Sequence, residues 1–261
     1  MNDTTAEKWW GEFELAADER RWWTLGGLLL GAERKSREWR IGYEVSTNGD
    51  ATLPGTNRSV DELAFSARYV FAEPGAGIRL TPALADRPVV TRPVSPLNVP
   101  PGEQATLFVS SPVWVRIEAA GPAKQLADIP VLRPSDTWFG ESTRAGELCY
   151  ATRTHGRLLL EDLPVQPFRA VTPLEIVNKS GQELKLERVS LPVPYLTIYA
   201  SDAYDLWTQK LVMRCEDNAQ LATVRIRQGA PSQITGAEHV APSRKQQEGQ
   251  VFRRALTSLF G

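Results

Sequence analysis

The chain is poor in the residues from which reaction centres are usually built. It has two histidines, His155 and His239, and two cysteines, Cys149 and Cys215, among 261 residues. Neither histidine belongs to an HExxH or HxH pattern and no CxxC occurs, which excludes the common zinc centres made of His and Cys. Two cysteines cannot supply a disulfide framework. Both fall in alternating apolar stretches, where buried free thiols are common. Asp202-Ala-Tyr-Asp205 lacks the spacing of a calcium loop. The sequence contains no GxxxxGK[ST], no strand-borne GxGxxG leading into a helix, and no GxSxG, so the usual phosphate cradles and the nucleophile elbow are missing. No cofactor is expected.

Long apolar runs are also missing. None approaches the roughly 18 residues of a spanning helix, and the most apolar stretch, Trp22 to Leu30, is interrupted by Gly26 and Gly27. The opening MNDTTAEKWWGEFEL has no basic segment followed by an apolar one, so no secretory signal is expected and the cytoplasm is the default location. Net charge is −1, too small for a global field that would gather nucleic acid or anionic membrane. Arginines are scattered along the chain and not interleaved with aromatics, so no nucleic-acid partner is expected.

What the sequence has in quantity is period-2 patterning broken by proline and glycine. Leu28, Leu30 and Ala32 alternate, a charged run Glu33 to Glu38 follows, and Trp39, Ile41, Tyr43 and Val45 alternate again, which predicts a hairpin. Residues 47–58 read as a loop. Phe65 to Ala72 and Ala222 to Arg227 alternate as strands. Pro82, Pro88, Pro93, Pro96, Pro100 and Pro101 place their strands at edges or ends, since proline has no donor for a ladder. Lys124 to Ile129 is compatible with a helical turn between Pro122 and Pro130. Gln250 to Phe260 sets Val251, Phe252, Ala255, Leu256, Leu259 and Phe260 on one helical stripe.

Two stretches share an order of signals. Thr91 to Ile117 and Phe168 to Tyr199 each run from an Arg-x-Val-Ser/Thr-Pro-Leu strand through a glycine turn and a short apolar strand to a proline and an aromatic-led strand. Such self-similarity suggests a repeated building unit. The expected fold is all-β: two tandem antiparallel β-sandwich modules, jelly-roll-like, over 1–130 and 131–248, closed by a short helix over 249–261. A single larger sandwich with the two stretches as its halves is the alternative.

The most distinctive local chemistry is Ser135-Asp-Thr-Trp-Phe-Gly140 with Arg144 and Glu147. An aromatic pair beside arginine and acids suits a sugar ring or a peptide side chain, although large aromatics are more often packing. Asp136, Trp138, Phe139, Arg144 and Glu147 are therefore the candidate binding residues. Phe252, Leu256, Leu259 and Phe260 are the candidate docking residues of the closing helix, whose simpler role is to cover core. Cys149 and His155 are near in sequence, but a core thiol and a turn histidine explain them as well. Glu141, Glu147, Glu161 and Asp162 are carboxylates with nothing that pairs them as a glycosidase needs.

The runs DTWFGESTRAGELCYATRT, FRAVTPLEIVN and LPVPYLTIY, the following LWT, the phrase SPVWVRI and the hairpin ending EWRIGYE resemble an uncharacterised prokaryotic family, domain of unknown function 432. The resemblance spans most of the chain. It implies a bacterial or archaeal source and an all-β build, and it carries no catalytic residues. The resulting expectation is a non-enzymatic binding or scaffold protein, with a carbohydrate-binding or carbohydrate-active protein as the alternative. Sugar recognition would need exposed rings among Trp9, Trp10, Trp22, Trp138 and Trp207. Edge strands and an apolar helix face favour an unknown protein partner or a homodimer.

Overall fold

The computed structural model describes residues 8–45, 63–120, 124–140, 144, 146–164, 166–216, 221–246 and 251–255, with backbone alone at 152–155, 221 and 251–255. The loop expected at 47–58 lies outside them. The chain is all-β. In order, its strands are β1 (Gly11–Glu14), β2 (Arg20–Leu25), β3 (Leu28–Arg34), β4 (Glu38–Val45), β5 (Ala67–Val70) and β6 (Gly77–Ala83). Next come β7 (Val89–Pro93), β8 (Leu97–Val99), β9 (Gln104–Pro112), β10 (Trp114–Ala119), β11 (Lys124–Pro130), β12 (Ser135–Phe139) and β13 (Glu147–Gly156). Last are β14 (Arg169–Asn178), β15 (Leu184–Leu186), β16 (Val189–Leu191), β17 (Ile198–Ala200), β18 (Leu206–Thr208), β19 (Leu211–Cys215), β20 (Leu221–Ile226), β21 (Glu238–Ala241) and β22 (Val251–Ala255). The strands group into two compact units, one of Met1–Ala83 with Val113–Arg133, the other of Leu84–Pro112 with Pro134–Gly261.

The first unit has two four-stranded antiparallel sheets, ordered β1-β6-β10-β11 and β2-β3-β4-β5. The Lys124 to Ile129 stretch is extended, not helical, because its backbone pairs with β10 from Trp114–Pro130 to Ala119–Lys124. The expected hairpin is β3–β4, with Leu28, Leu30, Ala32, Trp39 and Ile41 buried. The Phe13 ring stands edge-on against Trp23 at 5.2 Å, and the Tyr69 hydroxyl donates to the Leu126 carbonyl; these contacts tie one sheet to the other. A row of charges crosses the second sheet. Glu33 on β3, 1% exposed, accepts from Arg20 at 2.8 Å and pairs with Lys35 at 3.1 Å and Arg40 at 3.3 Å. Glu38 takes Arg40 and Arg68 at 2.6 and 2.8 Å. Burial alone would raise the Glu33 carboxyl, but the hydrogen bonds and charges of Arg20 and Lys35 outweigh it and hold it below the ordinary carboxylate value.

The second unit is organised on β14. One edge of β14 pairs antiparallel with β9, from Arg169–Pro112 to Val177–Gln104. Its other edge pairs parallel first with β18 and then with β19. Outward from these the sheet continues to β17 and β21 on one side and to β20 and β22 on the other. Pro173 is tolerated in this interior strand because it falls opposite the break between β18 and β19, where no donor is required. Register then sorts the side chains. Leu107, Leu174, Leu211 and Ile226 form one row across four strands, and Ala105, Ile176, Met213 and Val224 the next. The large residues of these rows are buried, each stabilising the fold by roughly 1.5–3 kcal/mol. A mixed sheet, β12-β13-β7-β16, and the β8–β15 pair complete the unit. The two stretches with a common order of signals are thus hydrogen-bonded to each other, as β7–β16, β8–β15 and β9–β14.

Asn178 closes the end of β14. Fully buried, it donates to the carbonyls of Val99, Pro100 and Gln182 at 2.8, 3.2 and 2.8 Å, and its Oδ1 accepts from the Ser180 amide and hydroxyl at 3.0 and 2.7 Å. Gly102, at φ 80°, makes the turn whose amide reaches the Asn178 carbonyl at 3.0 Å. The expected closing helix is absent from the described part of 249–261: Val251–Ala255 is strand β22, paired with β20. A segment of five residues, Val-Phe-Arg-Arg-Ala, is too short to distinguish the two periods, and pairing with the edge of β20 decides for the extended form.

Replacing Asn178 by Ala removes all five bonds of this buried hub; the Pro100 carbonyl keeps the Glu103 amide and the Gln182 carbonyl keeps the Ser180 hydroxyl, while the Val99 carbonyl and the Ser180 amide lose the Asn178 side chain. It is expected to cost at least about 3 kcal/mol in a urea melt. Glu33 has a folded pKa below its unfolded value, so it stabilises the fold fully above the unfolded pKa of about 4.3. That contribution disappears as pH falls through the folded pKa. The stability gap between the native chain and Glu33→Gln should therefore be wide at neutral pH and shrink below about pH 4 in parallel denaturant titrations.

Candidate functional site

Strand β12 is the terminal strand of its sheet. Among the described residues it pairs with β13 alone, from Ser135–Ala151 to Phe139–Glu147. The Tyr150 amide donates 2.8 Å to the Pro88 carbonyl, toward the β7 side, so Asp136–Tyr150 is a pair without mutual hydrogen bonds. By alternation Trp138–Leu148 is another, and the backbone groups of Asp136 and Trp138 point to the open edge. Arg188 Nη2 donates to the Trp138 carbonyl there, at 3.4 Å.

Strand alternation divides the five candidate residues. Asp136 and Trp138 share one face with Leu148 and Tyr150 of β13. On it Trp138 is 43% and Leu148 44% exposed, a cross-strand apolar pair in contact with solvent. Asp136 pairs with Arg87 at 3.0 Å. The Arg87 guanidinium lies 5.2 Å from the centre of the Tyr150 ring, and the Tyr150 hydroxyl donates 2.9 Å to Asp86. Partial burial and then the Asp86 carboxylate raise the Tyr150 phenol. Gly146 lies under the indole: a Cβ there would stand 2.6 Å from Trp138 Nε1 and 2.7 Å from the Phe139 carbonyl. Arg144 is exposed in the connection between β12 and β13.

Phe139 and Glu147 turn the other way. Phe139 packs with Val90 and Cys149 in a small buried cluster. Ser190 donates 3.1 Å to Glu147 Oε1, and its oxygen is 3.7 Å from the Cys149 sulfur. Arg188 caps the Phe139 ring at 5.7 Å, and burial, with Arg92 nearby, lowers its pKa. Burial raises the Cys149 thiol above its ordinary value, which keeps it protonated at neutral pH and against a nucleophilic role. Cys149 and His155 both lie on β13, whose pairing with β7 shifts register between Ala151 and His155. Cys215 is raised further by burial, to about 11. Among the described residues no group of three or more His, Cys, Asp or Glu could hold a metal ion. No helix there is long and apolar enough to cross a membrane.

Phe252 stands on β22 opposite Val224, and Leu256, Leu259 and Phe260 lie outside the described residues. The sequence reading missed Leu148, Tyr150, Asp86 and Arg87. The alternation of Leu148 and Tyr150 was visible; their neighbourhood with Asp86 and Arg87 depends on the pairing of β13 with β7, some 60 residues away in the chain.

The comparison with known families decides the relationship. The family described as Protein of unknown function (DUF432) matches residues 9–260, nearly the whole chain. The chain belongs to the DUF432 family. No curated protein and no solved structure gives a significant match.

Six of the eight tryptophans are buried, Trp22 is half-buried and Trp138 is exposed. Iodide should therefore quench a minor part of the tryptophan emission, and Trp138→Phe should remove most of that part. Quenching unchanged by this substitution would contradict the exposed position of Trp138.

Proposed function

We propose that the chain is a non-enzymatic binding or scaffold protein whose working surface is the open edge of β12. An extended segment of a protein partner adds to that edge and lays apolar side chains on Trp138 and Leu148. The exposed Trp138–Leu148 pair, beside a strand edge to which no other strand is paired among the described residues, carries this reading. Exposed edges are normally covered or blunted by charge. Here Arg188 meets one carbonyl, and the neighbouring Trp138 and Leu148 stay 43% and 44% exposed. Strand addition draws affinity from main-chain hydrogen bonds and selectivity from alternate side-chain positions, and the face supplies both: an apolar position at Trp138–Leu148 and a charged one at Asp136–Arg87–Tyr150. The burial of Cys149 weighs against a thiol catalyst. A sugar platform is less well supported, because Trp9, Trp10 and Trp207 are buried and Trp22 is half-buried, leaving Trp138 as the one exposed ring of the five.

Selection of displayed random peptides against the purified chain tests the proposal. Enriched peptides should carry apolar residues two apart. Their affinity should fall at least about tenfold for Trp138→Ala, and for Asp136→Pro, which removes an edge donor. A dimer in light scattering that the same substitutions dissolve would identify a second copy of the chain as the occupant. A library that yields no binder, or binders indifferent to both changes, would overturn the assignment.

A further inference from the structure

The sheet built on β14 has a second face, and it is chemically unlike the first. Opposite the apolar rows stand the outward residues of β19 and β20. Lys210 is matched with Arg227, whose amide donates 2.9 Å to the Lys210 carbonyl; Val212 is matched with Arg225, and Arg214 with Thr223. Arg214, Arg225 and Arg227 therefore project from the same face of two adjacent strands. With Val212, Ile226 and Gln228 they line a cavity of about 320 Å³. Val212 is its floor, 2% exposed. The three arginines themselves are exposed.

No carboxylate answers these charges among the described residues. Glu175, on β14 opposite Val212, is engaged by Lys210. Glu216, the next outward position beyond Arg214, forms no ion pair with the arginines among the described residues. Several other arginines do have acid partners: Arg20 and Arg40 with Glu33, Arg68 with Glu38, Arg87 with Asp136. Holding three guanidinium groups together without a counter-charge is unfavourable, and an anion removes that penalty. Guanidinium forks match phosphate oxygens in geometry as well as charge. The volume is at the lower end of small-molecule sites, which run from roughly 300 to 1,000 Å³. The lining holds no aromatic ring on which a base or sugar would stack. Recognition thus falls on the anionic group itself.

We infer that the Arg214–Arg225–Arg227 cavity is a binding site for a phosphate-bearing compound with at least two adjacent negative charges. The shared chemistry is a diphosphate or phosphomonoester group, either on a free small molecule or on a lipid headgroup.

Calorimetric titration of the full-length chain with pyrophosphate tests this, alongside sedimentation with phosphatidylcholine vesicles containing about 20% phosphatidic acid. Saturable pyrophosphate binding is expected, weakening as salt is raised. Arg225→Gln should reduce it at least about tenfold, and Arg214→Gln with Arg225→Gln should abolish it, while Arg79→Gln in the first unit leaves it unchanged. All three positions are exposed, so the melts should stay close to that of the native chain; if the double variant does not fold, Arg227→Gln takes its place. Pyrophosphate binding without vesicle binding points to a free phosphate compound. Arginine-dependent vesicle binding alone points to a lipid headgroup. No binding to either probe, or binding that persists in the double variant, overturns the inference.

Discussion

Strand β14 is hydrogen-bonded along both edges, and the second unit depends on that pairing. An interior strand cannot shift by one residue without turning its whole apolar set to the other face. Pairing with β9 on one side and with β18 and β19 on the other therefore fixes which residues of these four strands enter the core. Asn178 locks the end of this strand to the β8 and Gln182 turns through bonds that only an amide side chain can make in both senses. The Thr208 and Thr172 hydroxyls meet at 2.8 Å between β18 and β14, so polar atoms at the centre of the sheet are also matched. A fixed register also determines which residues stand on the outward face.

Arg169 shows how far the packing of this sheet extends. Its guanidinium donates to the hydroxyl and carbonyl of Ser110, and burial lowers its pKa to about 10. A charge is tolerated there because the donors are aimed at a neighbouring strand. The first unit handles charge differently, interleaving Glu33 and Glu38 with Arg20, Arg40 and Arg68 across neighbouring strands. Between these two solutions stands the β19–β20 face, where Arg214, Arg225 and Arg227 have neither burial nor an acid among the described residues. The contrast within a single chain makes that face the place to look for an anion, and the uncovered edge of β12 the place to look for a protein.

Much of the architecture was legible because β structure writes a two-residue period into sequence. Leu28-x-Leu30-x-Ala32 and Trp39-x-Ile41 announced their hairpin, and Val224-x-Ile226 its strand. The closing segment shows the limit: Val251 to Ala255 is too short for its period to be read, and a partner strand far away in sequence decided it. Lys124 to Ile129 was ambiguous for the same reason. At the candidate face, composition singled out Trp138 and Asp136, but adjacent residues of a strand point to opposite sides, so Phe139 and Glu147 went with the buried cluster. Arg214 and Arg225 are eleven positions apart and look scattered until the register of β19 with β20 brings them together. Local pattern specifies elements; which elements meet is set by non-local pairing.

Native-state hydrogen exchange tests the central claim most directly, that a rigid β14 sheet supports an open β12 edge. The account predicts that amides of β14, from Arg169 to Asn178 except Pro173, exchange only through global unfolding. The outward amide of Asp136 should exchange orders of magnitude faster and become protected when a bound peptide covers the edge. Slow exchange at Asp136 in the isolated monomer, or β14 amides exchanging as fast as the Asp136 amide, would contradict it.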